Sequence, residues 1–262
     1  MDQKYALFFD IDGTLVSFKT HEIPPSTVLA LTQAKANGHR VYIATGRPPL
    51  IINNLGAIAH LIDGYITTNG ALCYVGDTVV NRLTIPKSDV QAAVEDSQAK
   101  GYSLIVVGHP NVAVLDPTGD VDRIFRQMLN VKDLDKAAPL EKVLEGDVLQ
   151  LTPFFPIDYE PQLMARIPHC ISGRWNPEFT DITVRGADKG EGILAMARQE
   201  GFDPAKTIAF GDGGNDLSMI LRAGIGVAMG NATDQLKQQA DYITTTVDDD
   251  GILNALRHFG IV

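Results

Sequence analysis

Both ends of this chain alternate short apolar segments with helix-patterned ones, and that order leaves few folds open. Residues 5–10 read as a buried strand, and 25–37 as a helix with proline at its start and Gly38 after its end. Arg40–Ala44 is a second apolar strand, a helix is expected after Pro48-Pro49, and Tyr65–Thr67 is a third strand. The last third repeats the pattern. A helix over 188–200 leads to the strand Thr207–Phe210, a helix over 214–222 and the strand Ile225–Ala228. A helix near 232–239, the strand Tyr242–Ile243 and a helix near 249–258 close the chain. Strand–helix–strand units joined this way build a parallel sheet covered by helices on both faces. The expected fold class is therefore α/β, with a doubly wound parallel-sheet core.

The middle departs from that rhythm. Helices are expected at 87–100, 120–130, 139–145 and 158–166, and strands at 103–107, 112–115, 147–152, 169–174 and 179–184. Short neighbouring strands suggest a mixed or antiparallel sheet with helices on one face. The simplest division makes residues 1–82 and 185–262 one core, into which 83–184 is inserted as an α+β module.

Composition narrows the functional classes. The 262 residues carry a net charge of −10, which lacks the basic footprint of a nucleic-acid or anionic-membrane binder. Only Cys73 and Cys170 occur, without a CxxC pair, so structural zinc and a disulfide framework are not expected. The amino terminus shows no signal-peptide pattern, and no apolar run approaches a membrane span. A cytoplasmic, monomeric chain is expected. The six histidines show no metal-ligand spacing, Asp248-Asp249-Asp250 reads as an acidic helix start, and Asn231-Ala-Thr233 is a sequon without a secretion signal.

The chemistry concentrates where strands end. Asp10 and Asp12 close the apolar run Leu7-Phe8-Phe9, and their spacing sends both carboxylates to one side. Two anions that close need a cation or a shared proton. A solvated acidic turn is the bland alternative, but it would not require the apolar run. Thr45-Gly46-Arg47 follows the second strand, Lys189 opens a helix, and Gly211-Asp212-Gly213-Gly214-Asn215-Asp216 follows Ile208–Phe210. In open parallel sheets, ligands bind beyond the carboxyl ends of the strands. Each motif alone could be a turn, a cap or a solvated lysine. Their combination in this order is hard to explain that way.

These residues make the chain resemble a haloacid dehalogenase superfamily phosphatase, of the Cof-type, sugar-phosphatase-like branch with a type IIB cap. The matching elements are Asp10-Ile-Asp12-Gly-Thr, Thr45-Gly-Arg, Lys189 and Gly211-Asp212-Gly-Gly-Asn215-Asp216, with Thr67-Thr-Asn69-Gly70-Ala resembling a further element. The resemblance implies a Rossmann-like core, an inserted cap that sets substrate specificity, and hydrolysis of small phosphate esters through an aspartyl-phosphate. It makes Asp10 the nucleophile, Asp12 the general acid and base, and Lys189 the balancing cation. Asp10, Thr45, Gly46, Lys189 and Asn215 would hold the phosphate. Mg²⁺ suits the oxygen-rich set, with Asp10, the Asp12 carbonyl and Asp212 as ligands. Asp216 and Asn215 would act through water or by orienting Lys189.

Candidates for substrate selection are Arg47, Asn69, Arg174, Trp175 and Glu178, the last three lying between two expected strands. Trp175 suits a sugar ring, and equally suits an apolar core. A phosphomannomutase-like mutase is the rival reading, but residues 83–184 lack the dense basic cluster a second phosphate would need. A silent sugar-phosphate sensor would have lost Asp10, Asp12 or Lys189.

Overall fold

The structure is a computed structural model that describes residues 4–128, 131, 133–174 and 176–262. The chain opens with β1 (Ala6–Phe9), α1 (Pro25–Ala36), β2 (Arg40–Ala44), β3 (Gly64–Thr67), β4 (Leu72–Val75) and β5 (Thr78–Arg82). The middle supplies α2 (Lys87–Lys100), β6 (Leu104–Gly108), β7 (Val112–Leu115), α3 (Leu140–Leu144) and β8 (Val148–Pro153). It continues with α4 (Glu160–Met164), β9 (Cys170–Gly173) and β10 (Asp181–Val184). The remainder holds α5 (Lys189–Glu200), β11 (Thr207–Gly211), α6 (Leu217–Arg222), β12 (Ile225–Ala228), α7 (Asp234–Gln239), β13 (Tyr242–Ile243) and α8 (Gly251–His258).

Two compact units emerge. One contains the residues up to Thr45, Asn54–Asn81 and Asp188–Val262; the other contains Gly46–Asn53 and Arg82–Ala187. The first is built on a sheet of order β13-β12-β11-β1-β2-β3-β4-β5. Its pairings from β13 to β3 are parallel, and β4 runs antiparallel to β3. The expected α/β class with a parallel-dominated core is what forms.

Strand β1 lies at the centre of this sheet because Leu7, Phe8 and Phe9 have no surface left to expose. Phe8 stacks on Tyr42 of β2 with ring centroids 4.8 Å apart, and Phe9 on Phe210 of β11 at 4.6 Å. Each stack lies between register partners and contributes about 0.5–1.5 kcal/mol beyond burial. Together they hold the register that sets the height at which Asp10 leaves the sheet.

The second unit is a five-stranded antiparallel sheet of order β7-β6-β8-β10-β9. One face buries Leu104, Val106, Leu151 and Ile182 with Val90, Val94, Val143 and Leu163 from α2, α3 and α4. A second apolar cluster gathers Ile105, Val107 and Val112 with Ile51, Ile124, Phe125 and Phe179.

Three expectations change. The helix expected after Pro48-Pro49 is only a 3₁₀ turn at Pro49–Ile51, followed by another at Ala59–Leu61. Burial of Ile51 in the second unit's apolar cluster anchors the segment in place of a continuing helix. The helix expected over 120–130 is a π-type turn at Asp122–Met128, and residues 129–130 lie outside those described. The strands β4 and β5 were not expected. Gly76-Asp77 between two strand-forming runs was the signal that could have found them.

Candidate active site

Asp10 is the residue immediately after β1, and its N–H donates to the Phe210 carbonyl at 3.0 Å, extending the ladder with β11. The chain then turns. Gly13 N–H donates to the Val16 carbonyl at 2.9 Å, and Gly13 adopts φ +85°, the left-handed region. A methyl group there would sit 2.3 Å from Asp212 Oδ2, so only glycine lets the two loops approach this closely. Thr14 Oγ1 donates to Asp212 Oδ1 at 3.0 Å.

Asp212 follows β11 directly, and the turn after it is organised by Asp216. One oxygen of Asp216 accepts the N–H groups of Asp212 and Gly213, both at 2.9 Å, while the other accepts from Lys189 at 2.6 Å. Lys189 begins α5, whose N-cap Asp188 accepts from Glu191 N–H at 2.8 Å. A lysine is electrostatically misplaced at a helix start. Here its side chain is completely buried and bridges Asp216 to Asp10, also at 2.6 Å.

Thr45 follows β2 at the same end of the sheet, since Phe9 pairs with Ile43 in the parallel register. Its carbonyl accepts from Asn69 N–H at 3.1 Å, and Asn69 Oδ1 accepts from Asn215 Nδ2 at 3.1 Å. Thr68 and Asn69 both adopt left-handed backbone, a strained choice for threonine. Gly70, at φ +92°, packs so closely on Asp188 that a methyl group would lie 2.2 Å from its carbonyl oxygen. This segment therefore links the loop after β2 to the starts of α5 and α6.

Burial drives the electrostatics. It pushes the Asp10 carboxyl up to about 7, against the opposing pull of Lys189 and with the help of Asp216 and Asp12. Burial, reinforced by Asp10 and Asp216, pushes Asp212 up to about 9. For Lys189, burial alone would lower the ammonium, but Asp10 and Asp216 outweigh it and hold it charged. One cation thus serves three buried or half-buried carboxylates. Oxygens of Asp10, Asp212 and Asp216 lie within 4.8 Å of one another, a donor set that fits a hard divalent cation.

The first unit therefore brings together Asp10, Thr45, Asn69, Lys189, Asp212, Asn215 and Asp216, and Asp12 lies close enough to act on Asp10 electrostatically. Gly46 and Arg47 group with the second unit, where Arg47 Nη1 donates to the Ile51 carbonyl at 3.1 Å. Arg174, a candidate for substrate contact, has its guanidinium engaged by its own surroundings. It pairs with Glu160 at 2.6 Å and donates to the carbonyls of Asn176, Pro177, Phe179 and Phe155. Glu178 pairs with Arg123. Trp175 lies outside the described residues.

Sequence reasoning missed several supporting groups. Thr14 could have been suspected from its place beside the Asp-Gly turn. Asn231, read only as a sequon, braces the site loop: its amide donates to the Gly13 carbonyl at 2.8 Å and its oxygen accepts from Val247 N–H at 3.0 Å. Asp248, read as helix-start charge, accepts from Ser17 Oγ at 2.6 Å and pairs with Lys19 at 2.9 Å.

Comparison with known proteins places this geometry. Residues 7–256 match the family model for haloacid dehalogenase-like hydrolases. The solved structure of the subclass IIB sugar phosphatase BT4131 is 46% identical, with a TM-score of 0.93 over 98% of this chain and 100% of that one. The phosphatase BT1666 from Bacteroides thetaiotaomicron is 32% identical, with a TM-score of 0.87 over 98% of this chain and 96% of that one. The 5-amino-6-(5-phospho-D-ribitylamino)uracil phosphatase YcsE of Bacillus subtilis (strain 168) is 27% identical over 95% of this chain and 93% of its own.

Proposed function

The chain belongs to the haloacid dehalogenase-like hydrolase family and is a phosphoric monoester hydrolase, and we propose that it hydrolyses sugar phosphates with Mg²⁺ through an aspartyl-phosphate. The observation that carries this reading is the buried Lys189 bridging Asp10 and Asp216, with Asp212 alongside. Such an array of charge has no structural economy, because a buried ion pair is a weak source of stability. It suits the transfer of a doubly charged group.

An Asp10 oxygen attacks phosphorus as the P–O bond to the sugar breaks, and Asp12 gives its proton to the departing alkoxide. Asp12, now a carboxylate, takes a proton from water. The resulting hydroxide attacks phosphorus, and the P–O bond to Asp10 breaks to release inorganic phosphate. Lys189 balances the charge on Asp10 and the phosphate throughout, while the Thr45 hydroxyl, the Gly46 N–H and Asn215 orient phosphate oxygens. Mg²⁺, held by Asp10, the Asp12 carbonyl and Asp212, would supply charge cancellation at the phosphate. Asp216, engaged by Lys189 and two backbone N–H groups, is better placed to hold Lys189 and the loop than to bind the ion.

We assign residues 83–184 as the cap that selects the alcohol part of the substrate, inserted into a core of 1–82 and 185–262. Arg47 and Asn69 remain the candidates for substrate contact. Arg174 and Glu178 act by shaping the loop between β9 and β10. The same reading sets the chain in the cytoplasm with a freely diffusing phosphate ester; among the described residues no helix is long and apolar enough to cross a membrane.

Phosphate release from a panel of hexose, pentose and triose phosphates, with and without Mg²⁺, tests the reading. Hydrolysis should be strongest among sugar phosphates and disappear with chelator. Conversion of a sugar monophosphate to its isomer without phosphate release would instead identify a mutase.

Thermal melting offers a second test. Asp10 and Asp212 bind protons more tightly in the folded state than the ordinary carboxylate value of 3.8 allows. Their contribution to stability is present below about pH 4 and is lost as pH rises through about 7 and about 9. The metal-free protein is therefore expected to melt lower at pH 9 than at pH 6. Saturating Mg²⁺ should raise Tm more at pH 9, where Asp10 is ionised and Asp212 is losing its proton. Equal Mg²⁺ shifts at the two pH values would contradict the ligand set.

A further inference from the structure

Gly13 is the pivot of the loop that leaves β1, and a hydrogen bond fixes the peptide on each side of it. The Gly13 N–H donates to the Val16 carbonyl at 2.9 Å. In a planar trans peptide the carbonyl points opposite to the N–H, so this bond sets the direction of the Asp12 carbonyl. The next peptide is held through the Gly13 carbonyl, which accepts from the Asn231 side-chain amide at 2.8 Å. Glycine has the widest backbone freedom of any residue, so pinning both peptides decides a conformation that no side chain of its own could.

Asn231 is itself held. Its oxygen accepts from Val247 N–H at 3.0 Å, and because a backbone N–H only donates, the NH₂ end must face Gly13. The segment around Asn231 grips the other site loop. Met229 N–H donates to the Gly211 carbonyl and Thr233 N–H to the Asp212 carbonyl, both at 3.0 Å. The short run from Met229 to Thr233 thus holds the peptides on either side of Asp212 and, through Asn231, the chain beside Asp12. All of these residues belong to the first unit.

We propose that Asn231 is a positioning residue for the cation site: acting through the Gly13 carbonyl, it fixes the Asp12 carbonyl relative to Asp212 and so sets the affinity for Mg²⁺. The inference rests on the phosphatase reading, in which those two groups are ligands, and deepens it. A hard divalent ion binds best to oxygens already held at their places, because ordering them on binding subtracts from affinity. Asn231 is exposed. Water can satisfy the Gly13 carbonyl or the Val247 N–H one at a time, but it does not join them at a fixed length. The same exposure means that a substitution opens no cavity in the core.

Asn231→Leu keeps the bulk of the side chain and removes both of its hydrogen bonds. Mg²⁺ titrated calorimetrically into the variant, without substrate, should show a Kd raised about 10-fold. The Mg²⁺ concentration for half-maximal ester cleavage should rise alike, while kcat at saturating Mg²⁺ stays within about threefold of wild type. Asn37→Ala is the control: it removes another exposed amide of the first unit, one that donates to the Ile261 carbonyl at 2.8 Å. Its Kd for Mg²⁺ should stay within about twofold of wild type. A Kd for Asn231→Leu within about twofold of wild type overturns the inference, and so does an equal weakening by Asn37→Ala, which would mark general loosening. If Asn231→Leu does not fold, the wild-type protein decides. Binding that depends on this brace must tighten it in return, so Mg²⁺ should slow hydrogen exchange at Thr233 and Val247 N–H about 10-fold more than at Gly38 N–H, before β2. Equal slowing at all three overturns the inference. Mg²⁺ binding by wild type with no effect of Asn231→Leu removes the inference alone. A wild-type protein that neither binds Mg²⁺ nor cleaves any ester would remove the phosphatase reading as well.

Discussion

An Asp10→Asn protein is expected to lose at least about four orders of magnitude in kcat on every phosphate ester the wild type accepts. The amide keeps the shape of the side chain but cannot attack phosphorus, and no other described carboxylate shares its position after β1. Folding should survive. The Asp10 carboxyl is already pushed up to about 7 by burial, so its anionic form does not favour the fold at neutral pH. Lys189 retains Asp216 at 2.6 Å as its partner. Melting without metal should therefore match or exceed wild type above pH 7. Single-turnover phosphate release and a melt on the same preparation check both halves. Residual turnover near wild type in a folded protein would remove Asp10 from the mechanism.

Lys189→Met is expected to fail differently, losing stability as well as activity. The lysine is fully buried, and removing it strands Asp10 and Asp216 in a dry site without their shared cation. Breaking a buried pair in this way costs about 3–5 kcal/mol. The sign of the pH dependence follows. Without the opposing pull of Lys189 the Asp10 carboxyl is pushed up further, so the folded state binds that proton more tightly than the unfolded chain, and the deficit grows as pH rises. Urea unfolding should show a larger gap from wild type at pH 8 than at pH 5. A gap under about 1 kcal/mol at both pH values would mean that the bridge contributes little in solution. Activity should fall by about three orders of magnitude, because phosphate charge would meet Asp10 uncompensated.

The contrast between these variants bears on what could be read from residues alone. Asp10, Thr45 and Asp212 were identifiable because a parallel sheet sends the ends of its strands to one edge, and Lys189 because a lysine is misplaced at a helix start. Any polar residue following an apolar strand is then a candidate by position. Asp216 was visible only as part of a Gly-Asp-rich loop. That one of its oxygens holds two backbone N–H groups while the other holds Lys189 depends on a tight turn no spacing reveals. Arg174 illustrates the opposite limit. An arginine beside an aromatic residue in a strand connection suggests ligand contact, yet its guanidinium is engaged by Glu160 and four backbone carbonyls. Local composition could not reveal that, because Glu160 and Phe155 reach it only through the fold and the carbonyls of Asn176, Pro177 and Phe179 only through the turn the chain makes next.

The sequence by itself determined the alternation of strands and helices, the antiparallel character of the middle, and the place of Asp10 directly after a buried strand. These follow from side-chain period and steric preference, which act over a few residues. Tertiary structure decided the charge states and the partnerships. Lys189 meets Asp10 across 179 positions of sequence, and burial there raises one carboxyl while holding the ammonium charged. Exclusion of water makes the difference: once a polar group is buried, its few remaining neighbours fix its protonation and direction, and those neighbours are chosen by the fold.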